Sequence, residues 1–148
     1  MSQSNILKSF TFVIIQFACL GLIAITGPIF PGNKLLLTVE LLGLALGIWA
    51  VFVMGIGNFN VTPDPLKSSR LVTRGPYRFI RHPMYLALLL VTLPLVATEF
   101  SVLRLAIWLA LFIDLVVKLN YEEGILMTRL EGYRDYRQRS YRLIPFIY

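Results

Sequence analysis

Two short stretches of this sequence hold most of the side chains that could do chemistry. Arg81-His82-Pro83-Met84-Tyr85 gathers a guanidinium, an imidazole and a phenol, and Glu122-Glu123 supplies adjacent carboxylates. Pro83 suits the first turn of a helix and keeps the residue before it out of helical conformation, which puts His82 at a helix mouth. Tyr85 falls three residues on, so its phenol shares a helix face with His82. The unpaired N–H groups and positive dipole of that helix start offer a place for an anionic ligand group. Two carboxylates brought from another helix against an Arg/His/Tyr cluster would hold the opposite charge. The combined set suits a zwitterion bearing both an ammonium and a carboxylate, an amino-acid-like ligand.

The elements that must position these residues are strongly apolar. Of 148 residues 57% are hydrophobic and only 15% charged, more apolar surface than a soluble fold of this length can bury. Four apolar runs follow one another, at 10–30, 35–56, 84–98 and 102–119. The first two are long enough to cross a hydrocarbon core of about 30 Å at about 1.5 Å per residue, joined as a hairpin by Pro31-Gly32-Asn33-Lys34. The third is short for a full span unless Phe79 and Ile80 extend it or the bilayer thins. Glu99-Phe100-Ser101 joins it to the fourth, where Arg104 is placed to snorkel to the interface. Past Glu122-Glu123, the residues Leu126, Leu130, Tyr133 and Tyr136 recur at helical spacing between charges, the pattern of an amphipathic interfacial helix.

The expected fold is therefore an all-α integral membrane protein of about four transmembrane helices plus a C-terminal amphipathic interfacial helix. We read 1–148 as a single membrane domain, with 1–57 an anchoring helical hairpin and 58–148 the part that carries the site. Lys67, Arg70, Arg74, Arg78 and Arg81 lie between the second and third runs. Lys118, Arg129, Arg134, Arg137, Arg139 and Arg142 lie at or beyond the end of the fourth, so eleven of the 14 basic residues fall on one side. That side is expected to be cytoplasmic, with both termini there. The net charge of +6 is then a matter of topology and anionic headgroups rather than of nucleic acid. Cys19 is the single cysteine, which excludes an intrachain disulfide and a Cys-based zinc site.

The run Gly75-Pro76-Tyr77-Arg78-Phe79-Ile80-Arg81-His82-Pro83-Met84-Tyr85-Leu86-Ala87 is followed by Glu122-Glu123, Gly132-Tyr133 with Tyr136, and Arg142-Leu143-Ile144-Pro145. Over roughly 58–145 this order resembles the integral membrane methyltransferases that include isoprenylcysteine carboxyl methyltransferase and the phospholipid N-methyltransferases. Their pattern is Gly-x-Tyr-x-x-x-Arg-His-Pro-x-Tyr-x-Gly, then Glu-Glu, Gly-x-x-Tyr and Arg-x-x-Pro. Ala87 stands where that family usually has glycine, which would crowd a close backbone approach. Leu130-Glu131 stands where the family often has Phe before the glycine.

The resemblance implies S-adenosyl-L-methionine as cofactor and methyl transfer to a lipophilic acceptor entering from the bilayer, the carboxylate or amine of a prenylcysteine-like or phospholipid-like molecule. It implies that Tyr77, His82 and Tyr85 bind the cofactor, the last two at its amino-acid end, and that Glu122 or Glu123 takes its ammonium or ribose. Arg81 would meet the acceptor's head group or the cofactor carboxylate. Arg81, Glu122 and Glu123 are the catalytic candidates, Arg81 orienting a carboxylate acceptor and a glutamate taking the proton of an amine. No metal is required.

Two rival functions stand beside this one. A membrane reductase using NADPH is one, since some sterol reductases carry Arg-His-x-x-Tyr near the C-terminus; they have Asn before the tyrosine, where Met84 stands here. A small transporter is the other, its path lined by Glu40 and by Asp114 and Lys118. Asp114 and Lys118, four apart, read structurally as an intrahelical ion pair, while Glu40 fits either a pore-facing or an interhelical contact. Arg70, Arg134 and Arg139 read as topogenic, and Trp49 and Trp108 as interface or packing residues.

Overall fold

A computed structural model describes residues 3–55, 58, 62 and 70–145. Pro63, Pro65 and Lys67 of the basic loop lie outside the described residues. The first helix, α1 (Gln3–Ile25), stops short of the end of the first apolar run, because Pro28 has no N–H to continue the ladder. α2 (Lys34–Met54) begins where the Asn33 side chain accepts the N–H groups of Leu35 and Leu36 at 2.8 and 3.4 Å, and ends at Gly55 with φ +74°. A 3₁₀ turn (Gly75–Arg78) precedes α3 (Pro83–Thr98), and α4 runs unbroken from Val102 to Arg129. The last helix is the six-residue α5 (Tyr133–Gln138). Among the described residues there is no strand, only an isolated parallel bridge between Ile80 and Tyr141.

The interfacial helix expected after the glutamates is not one helix. Glu122, Glu123 and Leu126 ride on the end of α4, Leu130 leaves the helix, and Gly132 at φ +76° turns the chain into α5. A left-handed residue ends one helical ladder before the next starts, so the spacing from Leu126 to Tyr136 spans two axes.

α1 and α2 are long and apolar enough to cross a bilayer, and α3 is a shorter apolar helix. Their faces are inverted relative to those of a soluble protein. On α1, Ser9 and Gln16 are buried while Phe10, Ile14 and Phe17 are exposed; on α2, Glu40 is buried while Leu41, Leu42 and Phe52 are exposed. Large apolar side chains outside and polar ones inside match a chain whose solvent is hydrocarbon.

α2 packs along α3 and α1 along α4, whereas α1 and α2, though joined by a turn, barely touch. The α2–α3 contact rests on small residues. A Cβ on Gly43 would lie 2.9 Å from the Leu90 Cβ and 3.0 Å from the Val91 nitrogen, and one on Gly47 would lie 3.3 Å from the Ala87 Cβ. The methyl of Ala87, expected to crowd a backbone approach, is thus met by a glycine on the facing helix.

Arg104 does not snorkel. It is 2% exposed, with Nη1 donating to the Ile23 carbonyl at 3.2 Å and to Thr26 Oγ1 at 2.9 Å, and Nη2 donating to the Leu95 carbonyl at 2.8 Å. Both carbonyls belong to last turns, which carry unpaired acceptors and partial negative charge, so a fixed cation there stabilises two helix ends at once. Gly27 leaves the room, since a Cβ on it would collide with the guanidinium.

Candidate functional site

The α3 mouth and the C-terminal end of α4 meet around Glu123. This carboxylate is 4% exposed and lies among cations. Arg81 Nε donates to Oε1 at 2.6 Å, His82 Nε2 lies 3.4 Å from the same oxygen, and the Nε atoms of Arg142 and Arg137 lie 3.3 and 3.8 Å from Oε2. Burial alone would raise the Glu123 pKa, but hydrogen bonds from His82 and Arg81, reinforced by their charges, hold it down at about 2.

Arg81 is largely taken up by the protein. Besides Glu123 it donates through Nη1 to the Arg137 carbonyl at 3.0 Å, and to the carbonyl and hydroxyl of Ser140. The tail is also pinned through the backbone: Tyr141 N–H donates to Phe79 at 2.8 Å, Arg81 N–H to Tyr141 at 2.8 Å, and His82 N–H to Arg142 at 3.1 Å. The resemblance implies that Arg81 meets the acceptor's head group or the cofactor carboxylate; in the structure its guanidinium holds the tail against the α3 mouth.

Glu122 faces elsewhere. Its side chain is 26% exposed, and its Oε2 accepts the Tyr85 phenol at 2.7 Å and lies 3.7 Å from His82 Nδ1. His82 sits before Pro83 with φ −121° and ψ 58°, outside helical conformation as Pro83 demands. Its ring lies on the same face as Tyr85, as the three-residue spacing predicts, and stacks on it with centroids 5.3 Å apart and planes 11° apart. The helix start offers an anion less than expected, because the N–H groups of Tyr85 and Leu86 both point to the His82 carbonyl.

Tyr77 is buried beside this cluster. Its carbonyl accepts the Tyr136 phenol at 2.6 Å, and Tyr136 meets Tyr133 edge to face. Burial pushes the Tyr136 phenol up to about 12. Burial, and then the charges of Glu122 for Tyr77 and Glu123 for Tyr133, raise those two phenols as well. Among the described residues the buried hydroxyls of Tyr77 and Tyr133 have no hydrogen-bond partner, and Oε2 of Glu123 has only the ion-pair contacts of Arg142 and Arg137. Orphaned phenols beside a half-open carboxylate fit a ligand that brings its own donors and acceptors.

Reading along the sequence placed Arg142 only within a motif and Lys118 only as a partner for Asp114, and it did not point to Arg137, Ser140 or Gln16 as partners in the site. Arg137, Arg142 and Ser140 hold Glu123 and Arg81 from the tail, and no local spacing links them to those partners. Lys118 reaches across helices, donating to Gln16 Oε1 at 2.8 Å and lying 5.3 Å from the centre of the Tyr85 ring.

Between α1 and α2, closed behind by α3 and α4, lies a cavity of about 1000 Å³. Its walls are apolar, with Phe17 and Leu20 on one side and Leu44, Ile48 and Val51 on the other, and it reaches Tyr85. Inverted helices, an apolar cavity and a buried acid–base cluster that meets it at Tyr85 define an integral membrane protein with a composite site. The model of the isoprenylcysteine carboxyl methyltransferase family matches residues 35–128. The chain belongs to this family of membrane methyltransferases. That match opens in α2, earlier than the motif resemblance, and stops before α5. No curated protein and no solved structure matches the chain significantly.

Proposed function

We propose that the protein transfers the methyl group of S-adenosyl-L-methionine to a lipophilic acceptor drawn from the bilayer. The observation that carries this reading is the junction at Tyr85, one side of which belongs to the apolar cavity and the other to the Glu122/His82 cluster. A reaction between a water-borne zwitterion and a lipid-borne acceptor needs that meeting point.

Bound, the cofactor supplies a methyl group on a sulfonium, which makes the methyl carbon electrophilic. The chain's own task is to align the partners and to exclude water. Glu122, half-open and held by Tyr85, takes the ammonium or ribose side, and His82 and Tyr77 flank the same ligand. Glu123 keeps its charge and anchors Arg81, Arg137 and Arg142, closing the tail over the site. The acceptor's chain fills the cavity between α1 and α2, which open toward lipid. Four crossings, with the basic loop, the tail and both termini on the cytoplasmic side, put the cluster where the cofactor is dissolved.

Calorimetry with S-adenosylhomocysteine in detergent tests this reading. Micromolar binding is expected, weakened about tenfold in Glu122→Gln and in His82→Ala, with NADPH silent. Binding of NADPH instead, or of neither, would overturn it.

A further inference from the structure

The wall of the acceptor cavity carries few polar side chains, and most are engaged. Thr92 donates to the Leu88 carbonyl at 2.7 Å and accepts from Trp108 Nε1 at 3.1 Å, and the Tyr85 phenol is given to Glu122. Gln16 of α1 is different. Its Oε1 faces Lys118 Nζ at 2.8 Å. An ammonium has donors only, so the amide atom turned toward it must be the oxygen, and the orientation of the amide follows from chemistry. The NH₂ group is therefore on the other side. Among the described residues it has no hydrogen-bond partner, and Gln16 lines the cavity near Tyr85.

We propose that Gln16, oriented by Lys118, is the specificity-determining residue of the acceptor cavity, holding an anionic oxygen of the lipophilic acceptor through its amide N–H groups. This rests on the methyl-transfer reading and narrows it to acceptors that react through a carboxylate or similar oxygen. An ammonium head finds no acceptor at this point, because Lys118 occupies the one amide oxygen, and the Lys118 charge opposes a second cation. An oxygen anion instead meets two N–H donors polarised by the ammonium behind them, in surroundings of low dielectric where such a contact is strong. Lys118 acts through Gln16 and is a positioning residue.

The test uses two fluorescent probes of equal length, 11-(dansylamino)undecanoic acid and the N-dansyl derivative of 1,11-diaminoundecane, titrated into the full-length protein in detergent. The unaltered protein is expected to bind the acid at least about tenfold more tightly than the amine, as a hydrogen bond to a charged group allows. Gln16→Leu should weaken the acid about tenfold and leave the amine within about twofold, narrowing the preference to what the Lys118 charge, which also lines the cavity, supports alone. Gln16→Glu, whose carboxylate pairs with Lys118, should reverse it. Equal binding of both probes by the unaltered protein, or equal weakening of both in Gln16→Leu, would overturn the proposal, since a merely structural role at this position moves both probes together. Calorimetry with S-adenosylhomocysteine on the same samples keeps the two failures apart. Its loss in the unaltered protein sinks the methyl-transfer reading, and the ratio of acid to amine alone decides the role of Gln16.

Discussion

Successive residues of an α-helix point about 100° apart, so Glu122 and Glu123 at the end of α4 enter different surroundings, and substitution should separate them. Glu123→Gln removes the counter-charge of a buried arginine, and breaking such a pair costs about 3–5 kcal/mol. Thermal unfolding in detergent should show that loss. Glu122→Gln, on a partly exposed side chain, should change stability by under about 1 kcal/mol while weakening S-adenosylhomocysteine. A Glu122→Gln protein as unstable as Glu123→Gln would contradict this division. The pH dependence follows from the same cluster. Glu123 titrates at about 2 in the folded chain against an ordinary 4.5, so its contribution is complete above about 4.5 and is lost as pH falls from there toward 2. In Glu123→Gln the unfolding curve should flatten over that window, and an unchanged slope would refute the assignment.

At the scale of elements, two devices hold the helices together besides the apolar core that Ile23, Leu89, Leu95, Leu111 and Leu115 form between α1, α3 and α4. α2 approaches α3 through Gly43 and Gly47, so Gly43→Leu should force them apart at a cost of about 1–3 kcal/mol. Gly21→Ala, where an added Cβ meets nothing within 4 Å, should be neutral or gain up to about 1 kcal/mol from helix propensity. Equal effects at the two positions would mean that the close approach is not what the glycine serves. Arg104 ties the ends of α1 and α3 to the start of α4. Arg104→Leu leaves the Ile23 and Leu95 carbonyls without that partner and should cost on the order of 3 kcal/mol. Arg104→Lys, with one ammonium in place of a fork, should recover only part of it. Chemical unfolding of both variants reads the difference.

For the whole molecule, the parting of α1 from α2 matters most, because it leaves an apolar cavity where a tight hairpin would have left none. Filling it from the α1 side with Leu20→Trp should lower methyl transfer to a membrane-borne acceptor about tenfold while leaving S-adenosylhomocysteine affinity within about twofold. Activity and calorimetry on one preparation check this, and parallel loss of both would mean that cavity and cluster are not separate binding regions. Much of the architecture was legible beforehand. Composition placed the chain in lipid, the starts of α3 and α4 were readable, and Pro83 placed His82 outside the helix with Tyr85 on the same face. The break at Gly132 was not read, because a repeat of apolar residues at helical spacing looks the same across a single left-handed residue as along a continuous helix.

Local chemistry is what the sequence by itself determined: which segments are apolar helices, where proline starts one, and which side chains three or four apart share a face. Tertiary structure alone decided which glutamate is buried among arginines, that Arg104 clamps helix ends instead of reaching the interface, and that Gln16 meets Lys118 across 102 positions of chain. The reason lies in the solvent. In water, the apolar stripe of a helix marks the face it will bury, but hydrocarbon is as apolar as leucine, so on α1 and α2 hydrophobicity does not distinguish the inner face from the outer. The inner faces are set by small residues and a few polar atoms that find partners on distant helices, and those partners exist only once the chain has folded.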